Sequence, residues 1–154
     1  MKVQEIERRF LLKNLPAMPP DGSRRIEQFY TPDGHRFRRG RKEYSFDWTY
    51  EKIIKRPIQN LINEEEIFDC SALDYLEEFK NNVGNLQKSR YIYHTQQNTF
   101  EVDEFDNMRL IICEVELQSP DQEILFPKEI KDQIILEITG MPEFSNFNLA
   151  KNIK

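Results

Sequence analysis

The chain has 154 residues, with 38% apolar residues, 32% charged residues and a formal net charge of −5. That length and apolar share supply one core, so a single domain over 1–154 is expected, and the negative balance argues against a protein that coats nucleic acid through a basic face. No run is apolar enough for a signal peptide or a membrane span, which leaves a cytoplasmic protein as the expectation.

In chain order, most segments read as short strands. Residues 3–11 (VQEIERRFL), 25–30 (RIEQFY) and 34–39 (HRFRR at its end) alternate charged and apolar positions. Gly40 reads as a turn, followed by a long aromatic-rich strand over 43–56. In that strand Phe46, Trp48 and Tyr50 read as core. Strands at 63–69, 87–95, 98–105, 109–118 and 134–139 complete the set, with turns at Gln97–Asn98 and Asp106–Asn107.

Ser71 and Asp74 read as a capping pair for a helix carrying Ala72, Leu76, Phe79 and Val83, stopped by Gly84. Pro127 opens a short helix to about Gln133, and 144–150 forms a last one, with Asn146 and Asn148 capping or closing it. Many strands with few helices predict a mostly β (α+β) fold, an antiparallel sheet curled or closed into a barrel.

Two cysteines, Cys70 and Cys113, and two histidines, His35 and His94, form no ligand spacing for zinc or for a disulfide framework. Any metal is therefore expected to be a hard cation held by carboxylates.

The informative pattern is a repeated like-charge spacing. Glu5 and Glu7 precede Arg9; Arg36 and Arg38, Glu64 and Glu66, Lys88 and Arg90, Glu101 and Asp103, and Glu114 and Glu116 follow. In a strand, i and i+2 point to one face, and like charges there repel, which an ordinary solvated sheet has no reason to repeat. The opposite faces carry Ile6, Phe37, Val102 and Val115, which can pack against helices and leave the charged faces to line a lumen. One lysine of 43–56 joins the basic set. Lys55 faces inward if Trp48, Tyr50 and Ile54 face outward, whereas Lys52 has the opposite parity. Such a lumen suits about two divalent cations and a polyanion. Glu51 and Glu137 read as structural or exposed, and Arg39, Arg41 and Lys42 as a solvated loop or a lip at the lumen mouth.

Several of these segments resemble the CYTH domain, or triphosphate tunnel metalloenzyme, family. Glu5-Ile6-Glu7-Arg8-Arg9 is similar to its E-x-E-x-K signature, with arginine in the last place. Arg36 and Arg38 resemble its paired arginines, Ile53-Ile54-Lys55 its T-x-K strand, and Glu64 and Glu66 in NEEEIF its acidic pair. Lys88-Ser89-Arg90-Tyr91, Glu101-Val102-Asp103, Glu114-Val115-Glu116-Leu117 and the closing stretch 135–150 follow in the family's order.

The resemblance implies a closed eight-stranded antiparallel β-barrel forming a polar tunnel, with short helices outside. It implies a Mg²⁺- or Mn²⁺-dependent triphosphatase acting on tripolyphosphate or a small organic triphosphate. The alternatives are an adenylate cyclase, or a non-catalytic module that binds polyphosphate or a 5′-triphosphate RNA end. No aromatic residue stands out as an adenine platform. Carried over, Glu5, Glu7, Glu114 and Glu116 hold metal, and Arg36, Arg38, Lys55, Lys88 and Arg90 hold phosphates. Glu64, Glu66, Glu101 and Asp103 position water or the basic side chains, and Arg9 takes the place of a catalytic lysine. A monomer or homodimer is expected.

Overall fold

The computed structural model describes residues 1–59 and 61–152. Nine strands occur among the described residues: β1 (Lys2–Leu12), β2 (Gly22–Tyr30), β3 (Arg36–Lys42), β4 (Thr49–Gln59), β5 (Ile62–Asp69), β6 (Gly84–His94), β7 (Thr99–Phe105), β8 (Ile111–Glu116) and β9 (Ile134–Glu137). Helices α1 (Ala72–Phe79), α2 (Lys128–Lys131) and α3 (Asn146–Asn152) are short, and a 3-10 turn covers Pro142–Phe144. Among the described residues, no helix is long and apolar enough to cross a membrane.

The strands pair antiparallel in the order β5-β4-β3-β2-β6-β7-β8-β1, and β5 pairs with β1 to close an eight-stranded barrel. One edge of β1 is shared. Residues 2–6 pair with β5, while residues 10–12 take up β9 on the edge that β5 leaves. Closure removes free edges from the eight barrel strands, which would otherwise template aggregation.

Strand parity divides the apolar residues into three groups. Outward-facing Phe10, Leu12, Phe100, Val102, Cys113 and Val115 pack beneath α2 and the irregular segments 13–20 and 118–127, where Leu15, Met18, Ile124 and Phe126 cover them. Outward-facing Phe29 and Phe37 stack with ring centroids 5.1 Å apart and are roofed by Tyr75 of α1. The third group lies inside the barrel at one end, where Tyr30, Leu86, Phe105 and Ile112 pack against Ile138, Ala150 and Phe147. The outward roles of Phe37, Val102 and Val115 are as read from the sequence, although irregular segments cover more of that face than helices do.

Several sequence expectations change. Gly40 is not a turn: it sits within β3, paired with Ile26 and Thr49, and a Cβ there would stand 3.1 Å from Arg24 Nη2. Residues 43–48 form a loop rather than the start of a strand, entered through Tyr44 at φ 66°. Phe46 is 96% exposed, so it is not core, and Trp48 instead carries the guanidinium of Arg39 at 4.2 Å. Tyr50 does pack, against Tyr75.

Helix α1 is capped as expected, with Ser71 Oγ accepting from the Asp74 N–H at 3.0 Å, but it buries Tyr75 while Leu73 and Leu76 face outward. Gly84 opens β6 rather than capping α1. Its lack of a side chain admits α3, because a Cβ there would meet the Ala150 carbonyl at 2.6 Å.

Candidate active site

The barrel interior holds a cavity of about 700 Å³. Among the described residues, six acidic and six basic side chains line it: Glu5, Glu7, Glu65, Glu101, Glu114 and Glu116, against Arg9, Arg36, Arg38, Lys55, Lys88 and Arg90. Seven of the described strands, all but β2 and β9, contribute these charges by alternation. Glu5, Glu7 and Arg9 come from β1, Arg36 and Arg38 from β3, Lys55 from β4, Lys88 and Arg90 from β6, Glu101 from β7, and Glu114 and Glu116 from β8.

The same inward rows then turn apolar toward one end, with Leu86 preceding Lys88, Phe105 following Asp103, and Ile112 preceding Glu114. The segment after β9, through Met141, Pro142 and Phe147, lines the cavity at that end. The lumen is thus a charged chamber with an apolar, segment-packed end.

β5 departs from the sequence reading. Glu65, not Glu64 or Glu66, faces the cavity. In the β4–β5 register Glu65 lies opposite Lys55, which shares its face, so Glu64 and Glu66 point outward. There both pair with Arg56, at 3.0 and 3.7 Å. Three consecutive glutamates carry no alternation, so only the pairing with β4 selects the middle one.

Lys55 rather than Lys52 is the inward lysine. Lys52 Nζ lies over the outward Phe37 ring at 5.8 Å. Glu51, which the sequence left as structural or exposed, sits opposite Arg38 at 3.5 Å. Glu137 is structural, accepting from the Arg8 guanidinium at 2.7 and 2.8 Å.

Two groups of charges organise the chamber. In the first, the Asp103 carboxylate is wholly buried and accepts from Arg90 at 2.7 and 2.9 Å, with Lys88 Nζ at 2.7 Å. Arg90 also reaches Glu101 at 3.0 Å. Asp103 therefore lies beneath the chamber and holds two of its cations in place. Burial pushes the Asp103 carboxyl up, but Arg90 and Lys88 outweigh it and hold it below its ordinary value. Burial pulls the Lys88 ammonium down, with Asp103 opposing.

In the second group, the carboxylate oxygens of Glu5, Glu7 and Glu114 lie within 4.8 Å of one another. Lys55 stands 3.6 Å from Glu5 and 3.7 Å from Glu7. Burial, then Glu114 and Glu5, push the Glu7 carboxyl well above its ordinary value. Burial acts the same way on Glu114, but Arg9, Arg90 and Lys88 overcome it and hold that carboxyl low. Three hard oxygen donors, one of them destabilised as an anion, suit a divalent cation. Glu116 lines the chamber as well, but is exposed and stands outside this cluster.

Not every basic donor is committed internally. Arg38 meets Glu51 only at 3.5 Å, Arg36 donates one bond to Glu65 at 3.0 Å, and among the described residues neither Arg36 Nε nor Arg9 Nη2 has a partner. The unsatisfied atoms of Arg36 and Arg9 belong to side chains that line a cavity large enough for several phosphate groups, and buried donors of this kind call for an acceptor.

No protein-family model matches the chain. An inorganic triphosphatase of Acetivibrio thermocellus is 44% identical over 69 residues, a match spanning 44% of this chain and 42% of that relative's length. A solved inorganic triphosphatase structure is 23% identical, with a TM-score of 0.64 over 97% of this chain and 99% of that one. A Pyrococcus horikoshii protein is 17% identical, with a TM-score of 0.56 over 83% and 82% of the two chains. With its closed barrel and inward charges, the chain has the fold of the CYTH, or triphosphate tunnel, proteins.

Proposed function

We propose that this protein is a triphosphatase that uses a divalent cation, Mg²⁺ or Mn²⁺, to release the terminal phosphoryl group of inorganic tripolyphosphate or a small organic triphosphate. The observation that carries the reading is the convergence, in one 700 Å³ chamber, of the Glu5–Glu7–Glu114 cluster with Arg36, Arg38, Lys55, Lys88 and Arg90. The likeness to the Acetivibrio thermocellus triphosphatase supports it.

Glu5, Glu7 and Glu114 would hold the cation, with Glu116 completing its surroundings from the solvent side. Such an ion, when bound, supplies positive charge that offsets the phosphate oxygens. Arg36, whose Nε is unsatisfied among the described residues, and Arg38, held by Glu51 only at 3.5 Å, offer donors to those oxygens, and Lys55 bridges the phosphate track and the carboxylates. Arg90 and Lys88 present fixed cations because Asp103 and Glu101 hold them, so little reorganisation is needed when charge shifts toward the leaving group. Glu65 and Glu101 are placed to orient water or the basic groups.

The test is phosphate release from tripolyphosphate, thiamine triphosphate and ATP in parallel, with Mg²⁺ and then Mn²⁺, while cyclic AMP is measured in the same samples. Metal-dependent phosphate release without cyclic AMP is expected. Cyclic AMP as the main product would make the protein a cyclase, and binding without turnover of any substrate would make it a recognition module.

A further inference from the structure

One side chain joins the carboxylate cluster to the segment that packs the apolar end of the chamber. Arg9 Nη1 donates to the Phe144 carbonyl at 2.7 Å, and its Nε stands 3.8 Å from Glu114 Oε1. Its Nη2 is buried and has no hydrogen-bond partner among the described residues, on a residue that lines the cavity. The backbone of Arg9 is tied to the same segment. Its N–H donates to Thr139 Oγ1 at 2.9 Å, and its carbonyl accepts from the Ile138 N–H at 2.9 Å.

A guanidinium presents its donors in a fixed planar fork, so one group can serve a carbonyl, face a carboxylate and still offer a third N–H. The single ammonium of a lysine cannot span those directions.

We propose that Arg9 is a positioning residue that couples anion binding in the chamber to closure of its end by segment 139–152. An anionic oxygen accepting from Nη2 fixes the guanidinium in the plane that also serves Phe144. Bound anion and docked segment therefore reinforce each other, as linkage requires. The coupling rests on the chamber being a polyphosphate site; the docking of the segment by Arg9 does not.

Backbone hydrogen exchange tests both parts on the full chain, with inorganic tripolyphosphate and no added divalent cation as the probe and calorimetry to record its binding. In the wild type, tripolyphosphate is expected to slow exchange in 139–152 several-fold. In Arg9→Lys the free protein is expected to exchange about tenfold faster there, with the other strands unchanged and the response to tripolyphosphate lost. Should Arg9→Lys fail to fold, Arg9→Gln, which keeps a shorter N–H donor, carries the same comparison.

Equal exchange in the free wild type and variant overturns the docking role. Equal slowing by tripolyphosphate in both overturns the coupling. Binding seen by calorimetry without slowing in the wild type also overturns the coupling, whereas absence of binding counts against the polyphosphate reading of the chamber and leaves the free-protein comparison to decide the docking.

Discussion

Replacing Asp103 with asparagine removes the single anion that holds two chamber cations. Asp103 is 0% exposed and Lys88 1%, with three contacts of 2.7–2.9 Å between the carboxylate and the Lys88 and Arg90 side chains. Asp103→Asn leaves the Lys88 ammonium buried without its closest anion, and breaking a buried pair in this way costs about 3–5 kcal/mol. At about 2–4 °C per kcal/mol for a chain of this size, the melting temperature should fall by roughly 6–20 °C.

The pH dependence follows from the depressed Asp103 carboxyl. A carboxyl whose folded pKa lies below its unfolded value, about 3.9, contributes stability that is full above that value and is lost as pH falls through the folded one. The gap between wild type and variant should therefore be complete at pH 7 and close below about pH 4. Urea denaturation at several pH values reads both effects, with Glu137→Gln as the control for an exposed pair, whose loss should stay within about 1 kcal/mol. A loss at pH 7 no larger than that of the control, or a gap that widens on acidification, would refute the reasoning.

Glu65→Gln should lower turnover roughly 10–100-fold, while Glu64→Gln and Glu66→Gln change it less than about twofold, because only Glu65 faces the chamber. Steady-state phosphate release by the three variants decides the register of β5. Gly84→Ala should destabilise the protein by about 1–3 kcal/mol, because its Cβ would meet the Ala150 backbone, and thermal melting measures it. Tyr44→Ser and Phe46→Ser, at 95% and 96% exposure, should leave stability within about 0.5 kcal/mol by the same melting assay.

The sequence was legible where charge alternated cleanly. On β1, β3, β6, β7 and β8 the like-charged pairs at i and i+2 named the inward face, because a strand leaves no other way to place them together. On β5 the run Glu64-Glu65-Glu66 carries no alternation, and the inward residue follows from a pairing partner distant in sequence. Gly40 and the aromatic 43–48 stretch misled for a related reason. Gly40 serves a close approach by Arg24 within a strand, and Tyr44 and Phe46 are apolar without being buried. The apolar end of the chamber was hidden because Leu86, Phe105 and Ile112 read as ordinary strand residues until the C-terminal segment is seen packed against them.

The central claim is that the clustered carboxylates and the inward cations act together on a triphosphate. Its most direct measurement is steady-state phosphate release from tripolyphosphate by the wild type and Glu7→Gln side by side, with Mg²⁺, with Mn²⁺ and with chelator. Release by the wild type that needs the metal and falls roughly a hundredfold or more in a folded Glu7→Gln is the predicted result. Undiminished release by Glu7→Gln, or none by the wild type with either metal, would contradict it.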